Sequence, residues 1–385
     1  MAQPNDVFTI NDIRAAATAK LDSRWAQYIN EGSMDLITVK ANEAAYDRYR
    51  IMPRILRDVA EIDTTTTTIF GSKASFPFGF SPAAMHCLAH PDGEIATSRA
   101  AAKTGIAMGL SHWATKSLED VIAAGQEINP STPYAIQTSS ANPKHHTASL
   151  LARASKAGYK AVLVTVDAPV LGRRLNEYRN GTDLPSALTF PNLSHDPRNF
   201  RSAARDASAS FATFLPWLVA TVPASMEIWL KGVYTAEDVE LAAAQPRVRG
   251  VVVSNHGGRQ LDGAAATVEA LPGCAAAARR VNADAGTQRR RERLLVGVDG
   301  GIRRGSDVFK ALALGADVCF AGRVPLWGLA WAGREGVERA VGILRDEFET
   351  CMRLAGCRSL ADIGPECLAV VEGGVPGLIR RLPKL

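Results

Sequence analysis

Short apolar runs alternate with helical segments along the chain from about residue 75 onward. Eight of these runs have the length of a buried strand and are continuously apolar instead of alternating with polar residues. Continuous apolar character is typical of parallel strands that are covered by helices. The predicted strands are Phe78–Pro82, Ile106–Ser111, Tyr134–Gln137, Ala161–Asp167, Glu227–Lys231, Val251–His256, Leu294–Asp299 and Val318–Arg323.

Eight strands that alternate with helices over about 250 residues match the length and rhythm of an α/β fold, the (β/α)8 TIM barrel. An open doubly wound sheet has the same periodicity, but no G-x-G-x-x-G follows the first strand to favour it. Polar residues end seven of the predicted strands, and a barrel brings such residues together at its C-terminal mouth, where active sites form. They are Ser111, Gln137, Asp167, Lys231, His256, Asp299 and Arg323.

The chain is expected to form a single domain over residues 1–385. We predict an N-terminal helical cap (1–75), the barrel (76–355) and a C-terminal tail (356–385), with the Thr64–Thr68 run as a strand of a short hairpin. The connection after strand 4, Ala168–Met226, is long and poor in periodicity. Long irregular connections in compact domains are often lids. We therefore expect a mobile lid at about 175–215.

Composition and charge exclude several classes of protein. With 46% hydrophobic and 22% charged residues, the 385-residue chain is not dominated by disorder, and no apolar run is long enough to span a bilayer. The net charge of +5 is too small to favour nucleic-acid binding, although it favours anionic ligands. The six cysteines form no C-x-x-C pair, which indicates reduced thiols in an intracellular protein and no metal site.

The sixth predicted strand ends on a histidine, and an arginine follows three residues later, within the segment Ser254–Gln260. A neutral histidine accepts a proton near pH 7, and a guanidinium binds a carboxylate through two parallel hydrogen bonds. His256 and Arg259 are therefore candidates for a base and an anchor for an acidic substrate.

Glycine-rich loops follow the seventh and eighth strands, where barrels commonly bind phosphate. The candidate residues are Asp299, Gly300, Gly301, Arg303, Gly322 and Arg323. They indicate a phosphorylated cofactor or substrate across the mouth. Lys231 ends the fifth strand and is open to three interpretations: a Schiff-base nucleophile, a fixed positive charge against an anionic cofactor, or a member of a buried structural ion pair.

These segments resemble the FMN-dependent α-hydroxy-acid oxidases and dehydrogenases, the family of glycolate oxidase and lactate oxidase. The segment Ser254–Asp262 reproduces the diagnostic S-N-H-G-x-R-Q-L-D of that family, and the resemblance extends from about Tyr28 to Ile363. Further matching segments are Ser111–Thr115, Thr165–Pro169, Leu171–Arg174, Leu230–Val233, Asp299–Leu314 and Arg345–Glu349.

The resemblance implies roles for the substrate-facing residues. His256 would accept the proton lost from the substrate, and Asp167 would stabilise the resulting imidazolium. Arg259 and Arg174 would hold the substrate carboxylate, with the Tyr28 hydroxyl as a further donor. Trp113 lies where the family has an aromatic wall of the pocket.

The resemblance also implies FMN as the cofactor. Lys231 would lie against the pyrimidine end of the flavin and stabilise negative charge on the reduced ring. Hydrogen bonds to the flavin edges would come from Ser111, Gln137, Thr165 and Ser254. The backbone of Pro82, Ala83 and Ala84 would run along the ring, and the phosphate would lie against Gly301, Arg303, Gly322 and Arg323.

One departure from the family bears on the substrate. Where the family has Gln-x-Tyr after the third strand, this chain has Gln137-Thr138-Ser139. Ser139 lacks the ring and the phenolic donor, so we expect a wider pocket that favours larger acids. Trp113 or a lid residue between Leu184 and Phe214 would oppose this effect if it filled the space.

The predicted activity is FMN-dependent oxidation of a 2-hydroxy acid to a 2-oxo acid, with oxygen, which yields hydrogen peroxide, or a soluble molecule as the electron acceptor. The alternatives are a flavin-binding relative with altered or lost activity and a Schiff-base barrel enzyme. The resemblance suggests a homo-oligomer, a tetramer or larger. The C-terminal Pro383-Lys384-Leu385 matches two positions of the peroxisomal S-K-L signal, so we expect a peroxisomal or cytoplasmic location without nucleic-acid or membrane partners.

Overall fold

The computed structural model describes residues 7–140, 144–181, 183–193, 205–245, 247–283, 292–373 and 378–382.

Side-chain caps set the start of the first two helices. Helix α1 (Ile10–Lys20) follows a capping box of Thr9 and Asp12. Asp22 caps helix α2 (Ser23–Asn30), and helix α3 (Ile37–Ala44) continues into a 3₁₀ turn at Ala45–Arg48.

The predicted helical cap is wrong beyond this turn, because the rest of the segment contains strands. Strand β1 (Tyr49–Ile51) pairs with strands from the C-terminus, and strands β2 (Thr66–Ile69) and β3 (Ser72–Ala74) form a hairpin. Strand formation by β1 depends on a partner far along the chain, which local periodicity does not reveal. The hairpin strand predicted in the threonine run is present.

Eight parallel strands close into a barrel, which confirms the predicted fold. The large aromatic side chains inside it face glycines, since an added Cβ would lie 2.5 Å from the Trp229 ring at Gly250 and 3.0 Å from the Phe320 ring at Gly79. The strands are β4 (Phe78–Phe80), β5 (Ala107–Ser111), β6 (Tyr134–Ser139), β7 (Ala161–Thr165), β8 (Glu227–Val233), β9 (Val248–Val253), β10 (Leu295–Asp299) and β11 (Val318–Ala321).

The β2–β3 hairpin plugs the N-terminal end of this barrel. Phe70, at the hairpin turn, packs edge-on against Trp229 with ring centroids 5.4 Å apart and stacks on Phe320 at 5.8 Å. All three side chains are buried. Because this end is filled with apolar rings, the opposite end is the one that can bind a polar ligand.

Helices lie around the barrel, most of them on its outside. They are α4 (Gly93–Thr104), α5 (Leu118–Gln126), α6 (Lys144–Ala157), α7 (Leu175–Asn180), α8 (Phe214–Thr221), α9 (Ala236–Ala243), α10 (Thr267–Ala283), α11 (Gly305–Ala313) and α12 (Arg323–Ala355). Helix α7 belongs to the connection over the mouth. Helix α12 is interrupted at Ala332 and Gly333, whose dihedral angles are not helical. No helix in the described ranges is long and apolar enough to cross a membrane.

The C-terminal segment is not only a tail. Strands β12 (Leu368–Glu372) and β13 (Leu378–Arg381) pair antiparallel with each other, and β12 pairs with β1. This small sheet joins the two ends of the chain. The prediction missed it because each strand is short and its partner is distant in sequence.

The N-terminal segment is fastened across the mouth of the barrel. Asn42 and Asn255 exchange two side-chain hydrogen bonds of 2.9 and 2.8 Å, and the Ser33 amide donates to the Gly258 carbonyl at 2.9 Å. Asp262 accepts hydrogen bonds from the backbone of Asp35 and Thr38. These contacts position α2 and its Tyr28 beside the strand ends.

Part of the predicted lid lies outside the described residues, at 182 and 194–204. The described part contains α7, and it buries Leu184 and Phe190 against Met85 near the mouth. The predicted mobility of the lid stays a prediction.

Candidate active site

One cavity opens at the C-terminal ends of the barrel strands, and most of the predicted site residues line it. The predicted residues on its wall are Tyr28, Pro82, Ala83, Ala84, Ser111, Trp113, Gln137, Ser139, Thr165, Arg174, Lys231, His256, Arg259, Asp299, Gly300, Gly301, Arg303, Gly322 and Arg323. Asp167 and Ser254 lie behind this wall, where each hydrogen-bonds His256.

His256 lies in a strained turn after β9. Its φ of +58° is unusual for a residue with a side chain, and Gly257 and Gly258 continue the turn with φ of +65° and +77°. An added Cβ at Gly258 would lie 2.8 Å from the Val39 nitrogen, so this position requires glycine. Such strain is characteristic of residues whose side chains are held for function. The predicted sixth strand thus ends earlier, at Val253, because the chain leaves the sheet to form this turn.

The imidazole of His256 pairs with Asp167. Nδ1 of His256 lies 3.2 Å from Oδ1 of Asp167. Burial lowers the pKa of His256 and outweighs the opposing effect of the carboxylate. Burial also favours the neutral form of Asp167, but the charge and hydrogen bond of His256, together with Lys231, hold the pKa of Asp167 below its usual value. At neutral pH the pair is therefore a neutral imidazole beside an ionised carboxylate.

Lys231 belongs to a buried polar network. Its Nζ lies 3.1 Å from Oδ2 of Asp299 and donates to the Ser254 hydroxyl at 3.0 Å. The hydroxyl of Ser81 donates to the same Asp299 oxygen at 2.7 Å. Nζ of Lys231 thus contacts a buried carboxylate and a hydroxyl, whereas a Schiff-base nucleophile reacts as a neutral amine. The geometry favours the fixed positive charge.

Arg174 and Arg259 lie at another side of the cavity and share one carboxylate. Oε1 of Glu177 is 3.2 Å from a terminal nitrogen of each arginine. Burial lowers the pKa of Arg174 to about 10, which leaves it charged at neutral pH. The Arg259 guanidinium lies 4.6 Å from the centroid of the Tyr28 ring, and burial raises the pKa of Tyr28, so its hydroxyl stays protonated. The arrangement is suited to hold a carboxylate.

The glycine-rich loops after β10 and β11 form a cradle that fits a phosphorylated cofactor. Gly301 has φ of +82°, and an added Cβ would lie 1.8 Å from the Asn42 carbonyl oxygen. Nε of Arg303 and Oδ1 of Asp299 are buried without a hydrogen-bond partner among the described residues. A donor and an acceptor in this state fit the phosphate and the hydroxyl groups of a nucleotide-like chain. Within the described ranges, no cluster of three His, Cys, Asp or Glu side chains is arranged to hold a metal.

Arg323 was predicted to end the eighth strand and to hold the phosphate, but its position and its hydrogen bonds in the structure are different. It begins α12 instead of ending the eighth strand, and its three guanidinium nitrogens donate to the carbonyls of Ile29, Glu31 and Gly257 at 2.8–3.0 Å. Burial lowers its pKa to about 9. In this structure Arg323 fastens the end of α2 to the His256 turn.

Polar groups along the remaining wall are preorganised. The Gln137 amide donates to the Thr165 hydroxyl at 2.9 Å and accepts from Nδ1 of His112 at 3.0 Å. The Ser111 hydroxyl accepts from the Trp113 amide at 3.1 Å, and the Trp113 ring meets Phe190 edge-on at 5.1 Å. The predicted aromatic wall is thus packed against the described part of the lid.

Sequence reasoning missed two charged residues of the site. Glu177 follows the Leu171–Arg174 segment by one helical turn, so its spacing from Arg174 was a usable signal. Arg205 lines the cavity from the end of the lid, where no local pattern marks it. Both depend on how the connection after β7 folds over the mouth.

A barrel that combines a base, paired arginines and a phosphate cradle at its mouth defines a cofactor-dependent enzyme acting on acids. The sequence model of the FMN-dependent dehydrogenase family matches residues 17–370. The chain belongs to this family, and FMN is its cofactor, as predicted.

Several relatives match over most of their length. Oxidase FUB9 of Fusarium oxysporum f. sp. lycopersici is 44% identical over 374 residues, which are 95% of this chain and 92% of that protein. Glycolate oxidase of Spinacia oleracea is 40% identical over 375 residues, 94% of this chain and 96% of the relative. Among solved structures, a mandelate oxidase variant with (S)-mandelic acid aligns with a TM-score of 0.82 and 34% identity, and the alignment covers 96% of this chain and 99% of that chain.

The predicted enzyme class, an FMN-dependent 2-hydroxy-acid oxidase or dehydrogenase, is confirmed by these matches. The matched family depends on FMN, whereas a Schiff-base barrel enzyme needs no flavin. The Schiff-base alternative is therefore excluded.

Proposed function

We propose that this chain oxidises 2-hydroxy acids with side chains larger than that of glycolate, and that dioxygen is the electron acceptor. The reaction converts one 2-hydroxy acid and one dioxygen into a 2-oxo acid and hydrogen peroxide. The observation that carries the proposal is the 3.2 Å contact between His256 and Asp167 on the same cavity as Arg174 and Arg259. The names of its relatives, glycolate oxidase, mandelate oxidase and Oxidase FUB9, support both the substrate class and the acceptor.

Two arginines and a tyrosine would orient the acid. Arg174 and Arg259 would bind the substrate carboxylate, while Tyr28 donates its phenolic hydrogen. Glu177 fixes both guanidinium groups before the substrate arrives, so little conformational entropy is lost on binding. This anchor would place the α-carbon and its hydroxyl toward His256.

His256 would accept the substrate proton. An ionised Asp167 only accepts hydrogen bonds, so the hydrogen shared by the pair is on Nδ1 of His256 and Nε2 is the basic nitrogen. When the proton arrives, the Asp167 carboxylate lies beside the new positive charge and stabilises it.

FMN, when bound, supplies the acceptor for the two electrons that leave the substrate carbon. Lys231 would stabilise negative charge at the pyrimidine end of the flavin, and Ser111, Gln137, Thr165 and Ser254 would hydrogen-bond its edges. The backbone of Pro82–Ala84 would line the ring. Asp299, Gly300, Gly301, Arg303, Gly322 and Arg323 would hold the ribityl chain and the phosphate.

The pocket size is the basis for the preferred substrate. Ser139 ends β6 on the cavity wall and presents only a short side chain there. A longer acid would occupy this space and bury more apolar surface. Trp113, whose ring packs on Phe190, offers an apolar wall for it.

The variant His256→Gln tests the proposal. We expect it to retain FMN but to lose 10²–10⁴-fold in the rate of anaerobic flavin reduction by (S)-mandelate, because a general base contributes about this factor. Reduction within about threefold of wild type would remove His256 from the role of base. A wild-type flavin that no 2-hydroxy acid reduces would instead favour the alternative, a flavin-binding relative without this activity.

Assembly and location extend the proposal. The family resemblance supports a homo-oligomer, a tetramer or larger. The Pro383–Leu385 tripeptide lies outside the described residues, and its match to two positions of S-K-L is the basis for proposing a peroxisomal or a cytoplasmic location. Peroxide production is compatible with either compartment, and imaging a full-length fusion with and without the tripeptide would separate them.

A further inference from the structure

Two cysteines meet at the junction between the end of α12 and the C-terminal sheet. Cys357 follows the last turn of α12, and Cys367 directly precedes β12. The two thiols share a hydrogen bond, and each sulfur lies 3.5 Å from the carbonyl oxygen of Asp362. Both are free thiols, and both side chains are buried. The loop that joins the helix to the strand therefore begins and ends at two sulfur atoms in contact.

Arg54 places a positive charge against this cysteine pair. Its Nη2 donates to Sγ of Cys357 at 3.0 Å and to the carbonyls of Gly356 and Asp362 at 3.2 and 3.0 Å. These acceptors are uncharged, and Nε of Arg54 is buried without a hydrogen-bond partner in the described part of the chain. A cation beside a thiol favours the thiolate, which is the form of cysteine that reacts with oxidants.

The two thiols differ in acidity. The hydrogen bond from Cys357 outweighs the effect of burial and lowers the pKa of Cys367, and the charge of Arg54 adds to this shift. The same hydrogen bond, together with burial, raises the pKa of Cys357. A thiolate that lies beside a thiol is suited to oxidation in two steps, because one sulfur attacks the oxidant and the other resolves the product.

The burial of the pair limits the size of the oxidant. A bulky disulfide such as glutathione disulfide cannot reach a buried sulfur, whereas hydrogen peroxide is little larger than water. A surface cavity lined by Pro53, Leu354 and Ala355 adjoins the cluster. Pro53 precedes Arg54 in the chain, and the Arg54 amide donates to the Ala355 carbonyl at 3.2 Å. A small oxidant in this cavity is thus next to the residues that enclose the pair.

We propose that Cys357 and Cys367 are an oxidation site for hydrogen peroxide and form a reversible disulfide that links the end of α12 to β12. The thiolate of Cys367 attacks one peroxide oxygen, which breaks the O–O bond and gives a sulfenic acid and hydroxide. The Cys357 thiol then attacks the sulfenic sulfur, the S–S bond forms and water leaves. Hydroxide takes up the proton that Cys367 lost, so two thiols and one peroxide become one disulfide and two waters.

Peptide mapping of the wild-type holoenzyme tests the proposal. The protein is treated with hydrogen peroxide, quenched with catalase, denatured in N-ethylmaleimide and digested with trypsin without a reductant. Cleavage after Arg358 places Cys357 and Cys367 in separate peptides, 354–358 and 359–380. We expect a disulfide between these peptides that dithiothreitol removes. Cys274 should remain a labelled thiol, since burial raises its pKa to about 12.

Two results of the mapping would overturn the site. One is full labelling of Cys357 and Cys367 at peroxide concentrations that oxidise the methionines of the same protein. The other is a link from Cys367 to Cys351, which lies in the separate peptide 346–353.

Substitutions of Arg54 test the origin of the reactivity. Arg54→Met removes the cation and should slow formation of the disulfide about tenfold, whereas Arg54→Lys keeps the charge and should slow it less. Arg48→Met, at an exposed arginine paired with Glu269, is the matched control and should leave the rate unchanged. Equal rates in wild type and Arg54→Met would contradict the thiolate on which the reaction depends.

A turnover experiment separates this inference from the proposed function, on which only the enzyme's own supply of peroxide rests. With glycolate, (S)-lactate or (S)-mandelate in air, the linked peptides should form without added peroxide, and catalase present from the start should prevent them. Links with added peroxide but none with any of the acids would contradict the proposed function and support the site. Flavin reduction by an acid without a link under either condition would overturn the site alone.

Discussion

Nδ1 of His256 lies 3.2 Å from Oδ1 of Asp167, and the two residues come from strand ends that are 89 positions apart in the chain. The contact joins the turn after β9 to the end of β7. Because an ionised carboxylate accepts from Nδ1, it fixes the tautomer that leaves Nε2 basic. Because Asp167 shifts the pKa of His256, the contribution of this contact can be measured from the pH dependence of the reaction.

The acid limb of the pH profile should lie below the ordinary histidine range. Burial holds the pKa of His256 below 6.5, so the neutral base is present above that lowered value and is lost as the pH falls through it. We expect kcat/KM for flavin reduction to decline with a midpoint below pH 6.5. Stopped-flow reduction from pH 4.5 to 8 measures it, and a midpoint above pH 7 would contradict the assignment.

Asp167→Asn should move this limb to still lower pH. The carboxylate raises the pKa of His256, so its removal lowers that pKa further. The plateau rate should also fall, on the order of ten- to a hundredfold, because the imidazolium loses its stabilising charge. A limb that stays in place in the variant would show that Asp167 does not control the protonation of His256.

Lys231→Met should weaken FMN retention and slow flavin reduction. The change leaves Asp299 buried without its cation, and removing one partner of a buried ion pair is strongly destabilising. FMN affinity is measured by fluorescence on titration of the apoprotein. Lys310→Met is the matched control, since this buried lysine donates to the Tyr46 carbonyl away from the cavity. An equal loss of FMN affinity in both variants would assign the effect to stability alone.

Ser139→Tyr should shift preference toward small acids. The added ring would occupy the space beside β6, where one methylene of fit is worth about 1–3 kcal/mol. Wild type should show kcat/KM that rises from glycolate through lactate to 2-hydroxyoctanoate and mandelate, and the variant should reverse the trend. Ser131→Tyr, in an exposed loop, is the control. A flat profile, or glycolate preferred by both proteins, would contradict the enlarged pocket.

Glu177→Gln should lower the free energy of unfolding by about 3–5 kcal/mol, because Arg174 loses its buried countercharge. Glu240→Gln breaks an exposed pair with Arg280 and should cost only about 0–1 kcal/mol. Urea unfolding of both holoenzymes compares them. Oxalate should restabilise Glu177→Gln more than wild type, since it supplies negative charge to the same arginines. Equal stabilities of the two variants would contradict the structural role of Glu177.

The sequence by itself determined the barrel and much of the site. Each of the eight strands is a local run of apolar residues, and burial on both faces makes the run continuous, so local pattern was sufficient to find them. The segment Ser254–Asp262 carries the base, the turn glycines and an arginine in one contiguous stretch. A short motif of this kind can be found from sequence alone, although the protonation of its histidine depends on the distant Asp167.

Only the tertiary structure decided which distant residues meet. The pairing of β1 with β12, the plug formed by Phe70 and the Asn42–Asn255 pair all join segments far apart in the chain. Glu177 and Arg205 lie in the connection after β7, whose sequence has no strong period. A polar side chain there contributes little to local pattern, and its position over the mouth follows from how the connection packs on the barrel. The substrate side of the pocket therefore required the fold, because its charges come from segments that are brought together only by folding.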